Sequence, residues 1–435
     1  MDWSNLRSLL GMFVLLGLAW MLSTDRRRIN WRVVGWGLAI QFLVAVFLFL
    51  SPLGTKFFTL VNDLVVELLG SASAGSHFLF GRLAIPAGAT GPDGEPSLGF
   101  ILAFQALPTI VFFSALMSIL YYFNIMPWMI RGFAYVFTRL MRVSGAESLC
   151  AASNIFVGVE SALTVRPHLE KMTRSELCTV LTAGMATVAS NVLAFYVYCL
   201  GGTFPNIGGH LVCASILSAP AALVFSKMLL PETGKPATLA VSVRPHFERD
   251  ASFFEAIING ANAGLKLIFG IVALLLAVLG LVELVDLVLG AVGGAVTGGR
   301  SEWSLRGLLG IVFYPCAILI GVPLDDAGIV SGIIGERLVA TEVAGYRHLA
   351  AALADKALAS PRSPVLTAYA LCGFAHVASL SIFVGGTSAL APSRAGDLAK
   401  VGVRALIAAT LACLVTACVA GVFLTDRCML VGRMR

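Results

Sequence analysis

Apolar runs of about twenty residues recur along the chain, the length needed to cross the hydrocarbon of a bilayer as a helix. The first, Leu6–Ser23, is longer than the apolar region of a signal peptide and ends in Asp25-Arg26-Arg27-Arg28, with Arg32 close behind. Val33–Leu50 follows. Residues 51–98 mix apolar and polar positions, with Gly and Pro clustered at Gly88–Pro96 and Lys56 and Arg82 as the basic residues. That pattern predicts an external loop with room for one surface helix. Further spans are predicted at Gly99–Phe123, Leu177–Leu200, Gly209–Leu230, Gly264–Leu289, Val365–Leu390 and Val401–Leu424. Arg131, Arg139 and Arg142 lie on an amphipathic stretch, which predicts a helix on the inner face. Basic residues gather after the first span, at 131–142, in Arg166–Glu176, at 231–251 with Lys235, Arg244 and Arg249, and at Arg394–Lys400. Cytoplasmic loops carry such excesses. Every crossing then agrees with eight spans and both termini outside the cytoplasm, as in a multi-pass protein of a cell (inner) membrane.

Two apolar segments are not simple spans. Ser148–Val165 and Leu305–Val339 are each interrupted by Gly and an acidic residue. Broken backbone at membrane depth needs protein or water partners, so it lies at buried or cavity-lining sites. Both segments are predicted to be re-entrant hairpins, the first entering from the cytoplasmic side and the second from outside. Ile155–Ala162 echoes Ile318–Ala327, and Gly184–Ser190 echoes Gly373–Ser379. In each half the order is hairpin, polar-centred span, further span, which is the pattern of an inverted repeat with its site near the midplane. The fold class expected is an all-α polytopic membrane protein, eight transmembrane helices plus two hairpins. Its parts are residues 1–145 (first spans and interfacial helix, a scaffold), 146–230 (first repeat), 231–300 (cytoplasmic loop and a scaffold span) and 301–435 (second repeat).

Composition supports that class. Of 435 residues 58% are hydrophobic and only 12% charged, about half the usual charge of a soluble domain. A soluble enzyme, a nucleic-acid binder and a disordered regulator are thereby disfavoured. The net charge of +6 reports loop orientation rather than a polyanionic partner. The nine cysteines are scattered, form no CxxC pair and mostly lie in apolar runs, so they read as small buried hydrophobes.

Polar groups at membrane depth are costly and mark function. Glu160 and Asp326 lead, with Asn154, Thr187, Ser190, Asn191, His376 and Ser379 beside them. Two halves facing one pocket with such groups suit a small polar solute plus a cation. Against this stand a helix-end or salt-bridge role for the acids, an interhelical hydrogen bond for His376, and helix packing for Thr187, Ser190 and Asn191. No His-Glu-x-x-His or nucleophile–base spacing occurs, so an enzyme is not expected; a Glu160/Asp326 acid dyad would be its only route. A channel or a non-transporting receptor is a further class.

Five strings carry a family resemblance: Phe112–Tyr122, Ala146–Gly158 with its Asn-Ile-Phe-Val-Gly, Arg166–Leu177, Leu371–Ala375 and Leu390–Arg394. Through them the chain resembles the concentrative nucleoside transporters, from about Leu6 to Leu424. The resemblance implies a homotrimer of protomers with eight spans and two re-entrant hairpins, in which a transport domain moves against a trimeric scaffold, elevator-fashion. It implies a sodium site between the first hairpin tip and the following break, from the Asn154 side chain, the Val157 carbonyl, Thr187 in place of a Ser, and the Val188 carbonyl. No cofactor is implied; protons are the alternative coupling ion. For the nucleoside it implies Val159, Glu160, Val192, Asp326, Phe374, His376 and Ser379. Here the chain departs from the family. The tip Gly-Gln-Thr-Glu-Ala-Pro becomes Gly158-Val-Glu-Ser-Ala-Leu163, one residue shorter, Asn-Glu of the second hairpin is matched to Asp325-Asp326, and a ribose-contacting Asn becomes His376. A nucleoside or related polar metabolite is therefore expected, with altered base selectivity. A non-nucleoside solute carried with protons on the same fold is the alternative.

Overall fold

A computed structural model describes residues 3–91, 94–247, 249–298 and 303–424, omitting the side chain of Val159. These residues are helical throughout, with two isolated bridges and no strand among them. The chain opens with α1 (Trp3–Met21), α2 (Trp31–Leu50) and α3 (Pro52–Phe80). Asn30 starts α2 by accepting the Arg32 N–H at 3.1 Å. Ser51 both ends α2 and caps α3, accepting the Leu53 N–H at 3.2 Å ahead of Pro52. A polar cap followed by Pro is a strong start signal.

A short α4 (Leu102–Gln105) leads into α5 (Pro108–Tyr122), and α6 (Ile125–Met141) buries the stripe Met126, Ile130, Ala134, Phe137 and Met141. The expected amphipathic helix is there. α7 (Gly145–Ser153), a 3-10 turn (Val159–Val165) and α8 (Arg166–Leu169) make a short hairpin. It is followed by α9 (Arg174–Ala186), α10 (Ser190–Leu200) and α11 (Ile207–Leu229). α12 (Phe253–Thr297) comes next. The order then recurs: α13 (Leu305–Leu319), α14 (Leu324–Ala340), α15 (Glu342–Ala354), α16 (Arg362–Leu371), α17 (Val377–Leu390) and α18 (Ala395–Phe423). Each half has a leading span (α4–α5, α12), an oblique helix (α6, α13), a hairpin, a span broken at its centre and a closing helix. This order of helices begins at 102 and again at 253.

α9, α10, α11 and α18 are buried on nearly all sides and form the core. α12 is the opposite. Among its 45 residues only Ala256, Gly260, Gly264, Leu275 and Gly293 are buried. Gly260 and Gly264 let it approach α5, where an added Cβ would come within 2.8 Å of the Ala115 and Val111 backbone. Forty-five residues make a helix of roughly 67 Å, about twice the hydrocarbon thickness, so α12 must tilt in a bilayer or extend beyond it.

Eight helical stretches among the described residues are long and apolar enough to cross a membrane: 3–21, 31–50, 52–84, 102–122, 174–200, 207–229, 253–297 and 392–423. The count equals the expected one, but the membership differs. Residues 365–390 are not among the long stretches because the chain is broken between α16 and α17, each short, as it is more briefly between α9 and α10. Residues 52–84 enter because α3 is long and apolar on average. Its buried residues nevertheless form one stripe, with Phe58 and Asn62 against Gly209 and Gly54 against Phe47. It thus covers the end of the bundle where α2 stops and α11 begins, as a surface helix would.

The second hairpin is not where the Gly and acid of Leu305–Val339 place it. α13 and α14 do run antiparallel, with Gly310 against Gly332 and Leu309 against Gly335. Their turn lies at the end of the bundle opposite the basic loops: Ser8 donates to Ile320 O at 2.8 Å and Arg362 to Gly321 O at 3.1 Å. The chain instead reverses inside the molecule at Thr341, φ +90°, between α14 and α15. A β-branched residue in that region is strained, and nothing local in the sequence announces it.

Candidate functional site

The two broken spans cross at their breaks. α9 ends at Ala186 and Thr187 is extended, with α10 resuming at Ser190. α16 ends at Leu371, and α17 resumes after His376. Between them Gly373 has φ +118°, and a Cβ there would lie 2.8 Å from the Ala186 and Met185 carbonyl oxygens. Only glycine satisfies both conditions. The echo between Gly184–Ser190 and Gly373–Ser379 thus marks two real breaks. The first hairpin end leans on the first break: Ser190 N–H donates to Phe156 O at 3.0 Å, and Ser215 Oγ donates to Ile155 O at 3.1 Å and Val188 O at 3.4 Å.

These bonds set Ile155 and Phe156 beside Val188 and Ser190, so Asn154, Val157 and Thr187 are chain neighbours of the contact. Asn154 is fully buried, and its Nδ2 donates to Cys150 O at 3.0 Å. Its Oδ1 has no hydrogen-bond partner among the described residues. Thr187 Oγ1 donates to Ala183 O at 2.9 Å, which leaves its lone pairs free. A buried acceptor without a donor is expensive, and hard oxygens without thiolate or imidazole suit a cation of the alkali or alkaline-earth kind.

Next to this place is a cavity of about 750 Å³, open mouth included. Its polar groups come from both repeats: Glu160 and Asn191 from the first, Thr341, Glu342, His376 and Ser379 from the second. Its apolar walls include Val192, Phe195, Phe374 and Phe383, with Leu267, Ile271, Leu274 and Leu275 of α12. Glu342 is buried; its Oε1 accepts from Tyr196 OH at 2.6 Å and its Oε2 lies 2.8 Å from His376 Nε2. His376 also caps α17, Nδ1 accepting the Ser379 N–H at 3.1 Å. Ser379 Oγ donates to His376 O at 2.8 Å and also to Phe374 O. A second cavity of about 970 Å³ lies toward the basic loops and shares Glu160 and Asn191 with the first. There His246 N–H donates to Thr164 O at 2.9 Å and Phe247 stacks on Tyr121 at 5.1 Å.

Glu160, Val192, Phe374, His376 and Ser379 line one cavity. The Val159 side chain lies outside the described residues. Asp326 is elsewhere. It is buried beside the start of α16, accepting from Ala359 N at 2.8 Å, Ser360 N at 3.0 Å and Ser363 Oγ at 2.5 Å, while Asp325 is exposed. Its oxygens are occupied by donors, and it belongs to a helix start. The acid at the second hairpin's break is Glu342, preceded by Thr341. Neither residue stands inside a long apolar run, and the positive φ of Thr341 has no local sequence signal.

Comparison with known proteins adds three findings. Family models described as Na+ dependent nucleoside transporter C-terminus and N-terminus match residues 210–421 and 10–83, and one described as nucleoside recognition matches 103–203. The chain is 38% identical over 425 residues to an uncharacterized transporter of Haemophilus influenzae, covering 97% of this chain and 98% of that one. It is 34% identical to the nucleoside permease NupC of Helicobacter pylori, covering 98% and 99%. It superposes on CNTnw in an inward-facing substrate-bound state with a TM-score of 0.85 at 35% identity, covering 97% and 98%.

Proposed function

The chain belongs to the Na+ dependent nucleoside transporter family of multi-pass membrane transporters, and on that premise we propose that it imports nucleosides by coupling them to sodium. The observation that carries this reading is one cavity whose polar groups come from both repeats, beside a buried carboxamide oxygen that lacks a donor. Sodium is bound by Asn154, the Val157 and Val188 carbonyls and Thr187. The ribose hydroxyls go to Glu342, the role expected of Asp326, with His376 and Ser379 beside it. The base lies toward Glu160, Asn191 and Val192.

The geometry supports a coupling route. The hairpin end that would hold sodium also carries Glu160, six residues past Asn154 and facing the cavity. An ion that orders Asn154–Gly158 positions Glu160, and by linkage the substrate returns the same free energy to the ion. The polar cavity groups all belong to the hairpins and broken spans, whereas α12 offers only apolar side chains. A loaded core sliding along such a wall breaks few polar contacts, the bond from Asn191 Nδ2 to Ser114 Oγ of α5 at 3.4 Å being one, which supports elevator-type movement. The exposed apolar faces of α12 fit lipid and a homotrimer interface. The basic loops support a cytoplasmic position for their end of the bundle in a cell membrane, with the N-terminus outside.

A second reading has a non-nucleoside solute and protons on the same frame, and rests on the Glu342–His376 contact. The cap weighs against it, because a proton on His376 Nδ1 removes the acceptor that starts α17. Uptake of a radiolabelled nucleoside panel into proteoliposomes at clamped pH tests both. Uptake undiminished without sodium sinks the coupling, and a panel in which no nucleoside is carried or competes sinks the substrate.

A further inference from the structure

We propose that Arg337 is a tethered cation that fills, in the second repeat, the place a coupling ion takes in the first. Arg337 stands one turn before the reversal at Thr341 and its side chain is fully buried. Its Nη1 donates to Ala370 O at 2.6 Å, in the last turn of α16. Its Nε and Nη2 have no hydrogen-bond partner and no carboxylate pairs with it among the described residues. A buried guanidinium without a counter-ion is costly. What faces it here is the negative end of a half-helix, whose last carbonyls have no intrahelical donors. Tyr346 OH donates to Ala368 O at 3.1 Å, near the carbonyl that Arg337 holds.

The first repeat has the same layout without the charge. Its half-helix α9 ends at Ala186 against the hairpin end bearing Asn154, whose Oδ1 is unpartnered among the described residues. No Lys or Arg occurs from Val143 to Val165 or from Ser175 to Ser226. One broken span thus meets its carbonyl end with a side-chain cation and the other with oxygens awaiting one. Free sodium then binds in the first repeat only. This rests on the sodium reading above, and the test separates the two.

The test uses full-length protein in liposomes. Arg337→Ala should lose about 10-fold or more of nucleoside uptake, as removal of a charged hydrogen-bond partner does. Millimolar guanidinium should restore most of it, and equimolar urea, the neutral near-isostere, none. Equal rescue by urea overturns the proposal, because the site then needs only filling; no rescue by either also overturns it. Should Arg337→Ala fail to fold, Arg337→Lys and Arg337→Met decide. An active Lys variant beside an inactive Met variant supports the tethered charge, and any other pairing overturns it. Sodium-independent uptake by the unmodified protein would sink the sodium reading while leaving the guanidinium–urea contrast to judge Arg337.

Discussion

The first and second hairpins meet at the same crossing of broken helices, yet they are built differently. The first ends in a run of turns from Asn154 through Val165, contains no basic residue and leaves a carboxamide oxygen without a donor. The second reverses on a single strained residue, Thr341, between helices that run right up to it. It carries its own cation, Arg337, and its acid, Glu342, is already held by Tyr196 and His376. A loose end with open oxygens can respond to an ion. A tight end with its charges provided is a prepared wall against which the solute binds. On the function proposed above, two copies of one layout would divide the work of an ion-coupled carrier.

The comparison breaks most visibly at Glu342. Glu342→Gln leaves two donors facing an amide and should weaken nucleoside binding by about 2–3 kcal/mol, roughly 30- to 150-fold in Kd by calorimetry. Unchanged binding would end the division of labour. Asn154→Ala should raise the sodium concentration for half-maximal uptake by roughly 10-fold, about 1.4 kcal/mol, with nucleoside affinity recovered at saturating sodium. A loss that sodium cannot restore would make the first hairpin end merely structural. Asp326→Asn should cost about 1–2 kcal/mol of stability through weakened donors at the start of α16. Its melting temperature should fall with nucleoside Kd unchanged; a selective loss of binding would return Asp326 to the site. His376→Asn should change stability by less than about 0.5 kcal/mol, because Asn caps helices well. A melting temperature that falls by several degrees would show that the ring does more than start α17.

Much of this was legible along the chain. The apolar runs, the basic loops, the amphipathic α6 and the break at Thr187–Ser190 are local features, each read from neighbouring residues. So were Asn154, Glu160, His376 and Ser379, because polar groups inside apolar runs are conspicuous. The second hairpin was not. Gly321, Pro323, Asp325 and Asp326 form as good a turn signal as the one at Gly158, but their turn lies at the end of the bundle, against Ser8 and Arg362. Thr341 carries no signal, since its positive φ is imposed by the packing of α14 and α15 around it.

The chain by itself determined that it is a membrane protein of broken helices in two related halves, because hydropathy, charge and breaks are properties of short segments. Only the tertiary structure decided which acids line the cavity, that His376 caps α17, and that Arg337 meets the end of α16. Each of those depends on residues brought together from different helices, where a carboxylate is a ligand or a cap according to which donors surround it.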